Sequence, residues 1–398
     1  MTVVVSYCLT VLALLLAIPG AIFAIEVAAA LLLPQQTIKR GKTERQNTAV
    51  LIPAHNEGPG ILPTINDVMA QLITGDRLVV VADNCTDDTA DVARQAGAEV
   101  LIRKDHLRKG KGYALEFGIA HLRSNPPHTI IVIDADCRVS TGAVSHLACA
   151  CEVLGRPIQA LYLMNAPADS AVNYRVAEFA WRVKNWARPL GLNALNLPCQ
   201  LMGTGMALPW QLIRKTKIVG TSLAEDMRLG VDLAQAGAAP LFCSSALVTS
   251  QFPASYEGSK TQRQRWEAGH IHTMRTALPR LFGRSIASGN LFLMALALDL
   301  TIPPLSLLII LLAAMLAISG LAAFFSLAVA PLIVTATAFA VVATAVLAAW
   351  TKFGRDVLPL KSVFLVVAYA ARKLPFYYQA LTGKTVIQWI RTDREKSR

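Results

Sequence analysis

Charge is scarce in this 398-residue chain: Asp, Glu, Lys and Arg make up 16% of it, against 54% hydrophobic residues. That balance excludes an ordinary soluble protein over the whole length. The scarcity is local. Val3 to Leu33 holds one charged residue, Glu26, and the stretch from about Ile286 to Trp350 holds one, Asp299. Both are long enough to cross a bilayer, the second as two helices joined by a turn near Ser319-Gly320. No Lys or Arg precedes the first run, and it continues past Pro19-Gly20, which argues for an uncleaved anchor over a secretory signal. Only two or three spans are foreseen and no repeat is visible, against a transporter.

Cysteine chemistry is also missing. The seven cysteines form no CxxC pair and no Cys/His ligand spacing, which excludes a zinc site or disulfide scaffold and fits reduced cytosolic thiols. A nucleic-acid partner is not expected despite the net charge of +12, because no ladder of aromatic and basic residues is present. The excess lies beside the apolar runs, at Lys39, Arg40, Lys42 and Arg45, at Arg275, Arg280 and Arg284, and at Lys352 and Arg355. Anionic lipids and a phosphate-bearing substrate account for it, and it places these flanks in the cytoplasm. Val357 to Ala371, shorter and followed by Arg372 and Lys373, reads as interfacial or re-entrant, since the basic tail "RTDREKSR" belongs on the same side. The expected layout is an anchor and linker over 1–45, a cytosolic domain over 46–275 and a membrane hairpin with tail over 276–398.

The middle of the chain reads as α/β. "TAVLIPAHNE" (48–57), "RLVVVADNCTDDT" (77–89), "EVLIR" (99–103) and "TIIVIDADC" (129–137) are buried-strand runs, three of them ending in acidic loops. Helical stretches near Ile61–Leu72, Thr86–Ala96 and Tyr113–Leu122 separate them, which implies a mostly parallel sheet covered on both faces. The first loop, "AHNEGPGIL", lacks GxGxxG, which excludes a Rossmann oxidoreductase. Ligands of such sheets bind at the carboxyl ends of the strands, where Glu57, Asp83, Asp134 and Asp136 converge. Asp134 and Asp136 point the same way on extended backbone. Two facing carboxylates call for a cation, and oxygen ligands suit Mg²⁺ or Mn²⁺ holding a diphosphate. The loop His106 to Lys111 offers Lys111 for further phosphate contact, or is simply solvated.

Three further stretches carry chemistry. "SLAEDMRLGVDLAQAG" (222–237) is an amphipathic helix in which Ser222 and Glu225 form a capping box; Asp226, in the first turn, has a pKa lowered by the helix end and is a candidate general base. "VAEFAWRVKNWARPLG" (176–191) is an amphipathic helix, either lying on the cytoplasmic leaflet or buried at the domain edge. "TQRQRWEAGH" (261–270) sets Gln262, Arg265 and Trp266 just ahead of the second apolar block.

The ordered set "VADN", "DAD", "AED" and "QRQRW", with a membrane anchor, resembles membrane-bound family-2 glycosyltransferases with a GT-A domain, the group of cellulose, chitin and hyaluronan synthases. The resemblance covers residues 48 to 270. It implies an inverting, metal-dependent hexosyltransferase of the inner membrane that uses a nucleotide sugar, UDP-linked by analogy. Asp83, Asp134 and Arg265 would contact the donor, with Glu57 and Lys111 beside them, and Asp136 the metal. Asp226 would deprotonate the acceptor, with Glu225, Gln262 and Trp266 around it. His55 departs from the family's usual Tyr in the "P-x-Y-N-E" loop. The acceptor is a growing polysaccharide or a lipid-linked saccharide. Few spans leave processive and single addition both open, and a homo-oligomer or export partner would be needed for a polymer channel. A nucleotide-binding regulator without catalysis would have no use for Asp226 and Trp266.

Overall fold

Short apolar runs buried on both faces become the strands that open the central domain. The computed structural model describes residues 2–36, 45–167, 170–216, 224–253, 255–363 and 369–382. β1 (Thr48–Ala54), β2 (Arg77–Asp83), β3 (Glu99–Arg103) and β4 (Thr129–Val132) pair in parallel in the order β3-β2-β1-β4. α2 (Leu62–Met69), α3 (Thr89–Gln95) and α4 (Lys111–Leu122) connect them. The second half is mixed. β7 (Met206–Pro209) runs antiparallel to β4 and to β6 (Ile158–Asn165), β6 pairs in parallel with β8 (Leu241–Gln251), and β5 (Arg138–Val139) lies antiparallel on β8. Parallel pairing thus holds for the first four strands, as expected, and gives way beyond β4.

Alternation along the strands splits the core into two layers. Ile52, Val80 and Ile131 face Ile65 of α2 and Val144 and Leu147 of α5 (Ala143–Leu154). Leu51, Val81 and Val132 face Leu115 and Ile119 of α4 and Leu229 and Leu233 of α9 (Glu225–Gln235). Helices on both faces leave the carboxyl edge of the strands open.

Three helices are long and apolar enough to cross a membrane: α1 (Thr2–Leu32), α12 (Leu305–Phe324) and α13 (Ala330–Phe353). α1 passes unbroken through Pro19, and a Cβ on Gly20 would come within 2.9 Å of Val342 on α13, so the glycine lets the two helices close. The expected turn at Ser319-Gly320 is not there. Both residues lie inside α12, and the reversal falls at Phe325–Val329, with Pro331 in the first turn of α13. Glycine is tolerated inside an apolar helix packed on its neighbours, whereas proline near a helix start marks a true boundary. α10 (Tyr256–Ser288), capped by the Ser255 hydroxyl, runs straight through the expected domain limit at 275 and leads into α11 (Leu291–Leu300).

The stretch 176–191 forms α6 (Val172–Arg182), a π-helical turn (Val183–Ala187) and α7 (Arg188–Ala194). It does not lie on lipid. Phe179, Val183, Ala187 and Leu190 are buried between β6 and the long apolar helices, packed with Phe23 of α1 and Val346 and Phe353 of α13. A Cβ on Gly191 would fall 1.8 Å from the Glu26 carbonyl oxygen, so α7 and α1 touch backbone to backbone. Domain and anchor are therefore one packed body. Lys39, Arg40, Lys42, Ser222, residues 364–368 within the expected interfacial segment, and the tail 391–398 lie outside the described residues.

Candidate active site

Each parallel strand hands a polar loop to the open edge. β1 ends in His55-Asn56-Glu57, with Asn56 at φ 54°, and the amides of Glu57 and Gly58 donate to the Thr89 hydroxyl at 2.8 and 2.9 Å. β2 ends in Asp83, where Arg103 donates to the carboxylate at 2.5 Å and a His55 ring nitrogen meets the Asp83 carbonyl at 2.6 Å. After β4 the backbone is not the extended strand expected: the Cys137 amide donates to the Asp134 carbonyl at 3.2 Å and closes a turn, with Ala135 and Cys137 buried and the half-buried Asp134 and Asp136 lining the same cavity.

Lys111 opens α4 instead of ending a solvated loop. Its ammonium contacts the Asp134 carboxylate and donates to the Gly203 carbonyl at 2.7 Å. Gly203 has φ +90°, and a Cβ there would lie 3.3 Å from Asp226 Oδ2, so glycine lets the loop before β7 close over the acidic pair. Glu225 and Asp226 begin α9. The lowered pKa foreseen for Asp226 is reversed: burial raises it, outweighing Lys111, Lys184 and the backbone amides. Helix-end attraction is worth a fraction of a kcal/mol in water, and desolvation exceeds it here.

Burial also pushes the Glu225 carboxyl up to about 7, against Lys111, the Gly112 amide and Arg265 and with the help of Asp226. Folded protein then keeps a proton that unfolded chain has released, so the stability Glu225 contributes is full below about 4.5 and is lost as pH rises through about 7. Glu225→Gln is therefore expected to raise the unfolding midpoint of the ligand-free protein near pH 8 and to leave it unchanged near pH 4.5. Identical midpoints near pH 8 would contradict the assigned burial.

Gln262, Arg265 and Trp266 lie at i, i+3 and i+4 on α10, which puts them on one helix face. Trp266 packs on Trp181 with ring centroids 4.8 Å apart, and Trp181 in turn meets Tyr162 and Phe252 edge-on. All ten residues singled out from the sequence, from Glu57 to Trp266, line one cavity of about 2380 Å³. Sequence reading missed Arg103, which neutralises Asp83, and Lys184 and Asn185 of the π-turn, which enter the same wall. Only the basic face of 176–191 hinted at them.

Among the described residues no three His, Cys, Asp or Glu side chains group as a metal cage. The donors at the edge are two carboxylates, one shared with Lys111. This set fits a hard divalent cation that completes its shell with water and diphosphate oxygens, and does not fit zinc.

A parallel nucleotide-type sheet with carboxylates at its edge and a basic, aromatic helix across it is the GT-A glycosyltransferase architecture. A mannosyltransferase from Pyrobaculum calidifontis, solved with GDP-mannose and Mn²⁺, shares this fold at a TM-score of 0.53, with 16% identity over 95% of this chain and 100% of that one. The chain belongs to glycosyltransferase family 2: residues 45–269 match the model described as "Glycosyltransferase like family 2". It is similar to the probable glycosyltransferase YdaM of Bacillus subtilis (29% identity over 268 residues, 60% of this chain and 59% of that one). It is also similar to the uncharacterized glycosyltransferase Rv0539 of Mycobacterium tuberculosis (37% over 93 residues, 22% and 40%). The chain thus spans less than two thirds of the length of either relative.

Proposed function

We propose that the chain is an inverting glycosyltransferase that moves a sugar from a nucleotide donor, UDP-linked by preference, to an acceptor saccharide at the cytoplasmic face of a membrane. The observation that supports this most is the single cavity shared by the Asp134/Asp136 edge, the Glu225-Asp226 pair and the Arg265-Trp266 face. Asp83 and Glu57 lie where the nucleoside and its phosphates would enter. Asp134 and Asp136 would hold Mg²⁺ or Mn²⁺, which when bound supplies charge neutralisation for the diphosphate.

The remaining chemistry falls to side chains. The acceptor hydroxyl gives its proton to the Asp226 carboxylate, and its oxygen forms a bond to the anomeric carbon as the carbon–phosphate oxygen bond breaks. The nucleoside diphosphate leaves with the electron pair. Its charge meets the Arg265 guanidinium, which offers a fork to phosphate oxygens. Burial raises the pKa of Asp226, which makes its carboxylate a stronger base than an exposed one. Trp266, packed on Trp181 at a tilt of 46°, offers a ring face to the acceptor sugar. The buried acidic pair supports catalysis over a purely regulatory nucleotide site.

The test is transfer from a panel of radiolabelled UDP- and GDP-sugars by membranes containing the protein, with Mn²⁺, Mg²⁺ or chelator. Transfer from one donor, lost with chelator, is expected, with a product ladder indicating polymerisation and one added sugar a single addition. Absence of both transfer and binding for every nucleotide sugar would overturn the reading.

A further inference from the structure

The decapeptide that carries Gln262, Arg265 and Trp266 holds a second arginine, Arg263, that the proposed chemistry does not use. Residues 257–265, "EGSKTQRQR", have no aliphatic or aromatic side chain. This part of α10 is therefore not fixed by burial of hydrocarbon, the usual source of helical stability in proteins. Apolar packing on α10 starts at Trp266, continues with Ala268 and Ile271, and then with Met274 to Phe282. Arg265 sits where that packing ends, so polar contacts must set its place.

Those contacts come from the C-terminal segment. At about 100° per residue, Arg263 and Glu267 lie roughly a third of a turn round the helix from Gln262, Arg265 and Trp266. Glu267 pairs with Lys373, and both side chains are 18% exposed. The Lys373 ammonium lies 4.7 Å from the Tyr369 ring centroid and 6.0 Å from that of Tyr377. Tyr377, on a short helix (Leu374–Leu381), is buried and shares a hydrogen bond of 2.5 Å with the Ser306 hydroxyl of α12. Arg263 donates to the Tyr369 hydroxyl at 3.2 Å. Its guanidinium carbon is 5.9 Å from the Tyr369 ring centroid and 6.0 Å from that of Tyr174 on α6. Tyr174 in turn donates to the Pro253 carbonyl at 3.2 Å. A continuous line of contacts thus runs from α12 through Tyr377, Lys373 and Tyr369 to α10, and on through Arg263 to α6 and the loop after β8.

We propose that Tyr369 and Lys373 are positioning residues for the reaction. They hold α10 where Arg265 meets the departing diphosphate and Trp266 the acceptor sugar, and they act only through that helix. This rests on the glycosyltransferase reading above and adds a brace to its site. A displacement of about 1 Å in a group that meets the transition state costs on the order of a hundredfold in rate, so the brace is read in kcat. Donor KM, held by the Asp83 and Asp134 edge, should move little.

The test uses the full chain, with initial rates in membranes for the nucleotide sugar selected by the donor panel. Hydrogen exchange is read on the purified, nucleotide-free protein in detergent. Lys373→Met should lower kcat at least about tenfold and change donor KM by less than about twofold. Lys373→Arg keeps a cation for Glu267 and the rings and should stay within about threefold of the parent. Tyr369→Phe removes only the hydroxyl that accepts from Arg263 and should cost about three- to tenfold, which decides the matter if Lys373→Met does not fold. Residues 257–265 should exchange several-fold faster in Lys373→Met, with β1 and β2 as in the parent. The deciding measurement is a cycle with Arg265→Lys. A brace that acts through Arg265 loses most of its effect on kcat in that background, whereas a general loss of stability adds in full. Additive effects in the cycle, parental kcat in both Lys373→Met and Tyr369→Phe, a loss confined to donor KM, or unchanged exchange in 257–265 would each overturn the proposal. A parent that neither transfers nor binds any nucleotide sugar would sink the glycosyltransferase reading, while faster exchange in Lys373→Met would leave the brace on α10 standing.

Discussion

Asp226→Asn is expected to lower the rate of sugar transfer by about 10²–10⁴-fold, the range that a positioned general base contributes. Asn keeps the size of the side chain at the start of α9 and removes only the ability to take the acceptor's proton. The loss should fall on kcat, with nucleotide affinity held by the Asp83 and Asp134 edge. A pH profile separates this from simple misplacement. Burial raises both Glu225, to about 7, and Asp226, so the acid side of the parent profile should fall above the ordinary carboxyl range, as a property of the coupled pair. The residual activity of Asp226→Asn should lose that limb. A variant that transfers sugar at the parental rate, or keeps the acid limb unchanged at a reduced rate, would remove Asp226 from the role of base.

That Asp226 was legible in advance as a candidate base, and the direction of its pKa shift was not, shows where sequence reasoning stops. Strand runs such as "TAVLIPA" and "RLVVVAD" declare themselves by composition, and a strand ending in Asp places its carboxylate at the sheet edge with no tertiary information. The spacing of Gln262, Arg265 and Trp266 declares one helix face in the same way. The shift at Asp226 depends instead on burial under a loop as distant in sequence as Gly203, which outweighs the opposing charge of Lys111. The amphipathic pattern of 176–191 was equally incomplete. It shows that Phe179, Val183 and Leu190 need cover, and says nothing of whether lipid or the helices α1 and α13 supply it. Asp299 could be read as lining the acceptor's path or as an acid near headgroups at a helix start, and it does line the large cavity. It lies at the other end of α11, against an arginine from α7.

That arginine carries the largest expected effect on stability. Arg188 donates through Nε to Glu26 Oε2 at 2.7 Å and through Nη2 to Asp299 Oδ1 at 2.5 Å, and Gln200 donates to the other Asp299 oxygen at 2.6 Å. All three charged side chains are at most 7% exposed. Each comes from a different element, α7, α1 and α11, so the trio ties the central domain to the apolar helices at the floor of the cavity. Such a pairing adds little compared with a well-packed apolar cluster, because desolvation offsets attraction, but removing one partner leaves buried charge uncompensated. Arg188→Met leaves two carboxylates facing each other without a counterion and should cost about 3–5 kcal/mol, read as a fall of roughly 5–10 °C in the unfolding midpoint in detergent. Adding Glu26→Leu and Asp299→Leu should restore most of the loss, since the charges then leave together. If Arg188→Met alone is as stable as the parent, the trio is not the tie between the domain and the apolar helices. If the triple variant is no better than the single, what Arg188 supplies is shape, and the close approach of α7 to α1 at Gly191 is the stronger determinant of the junction.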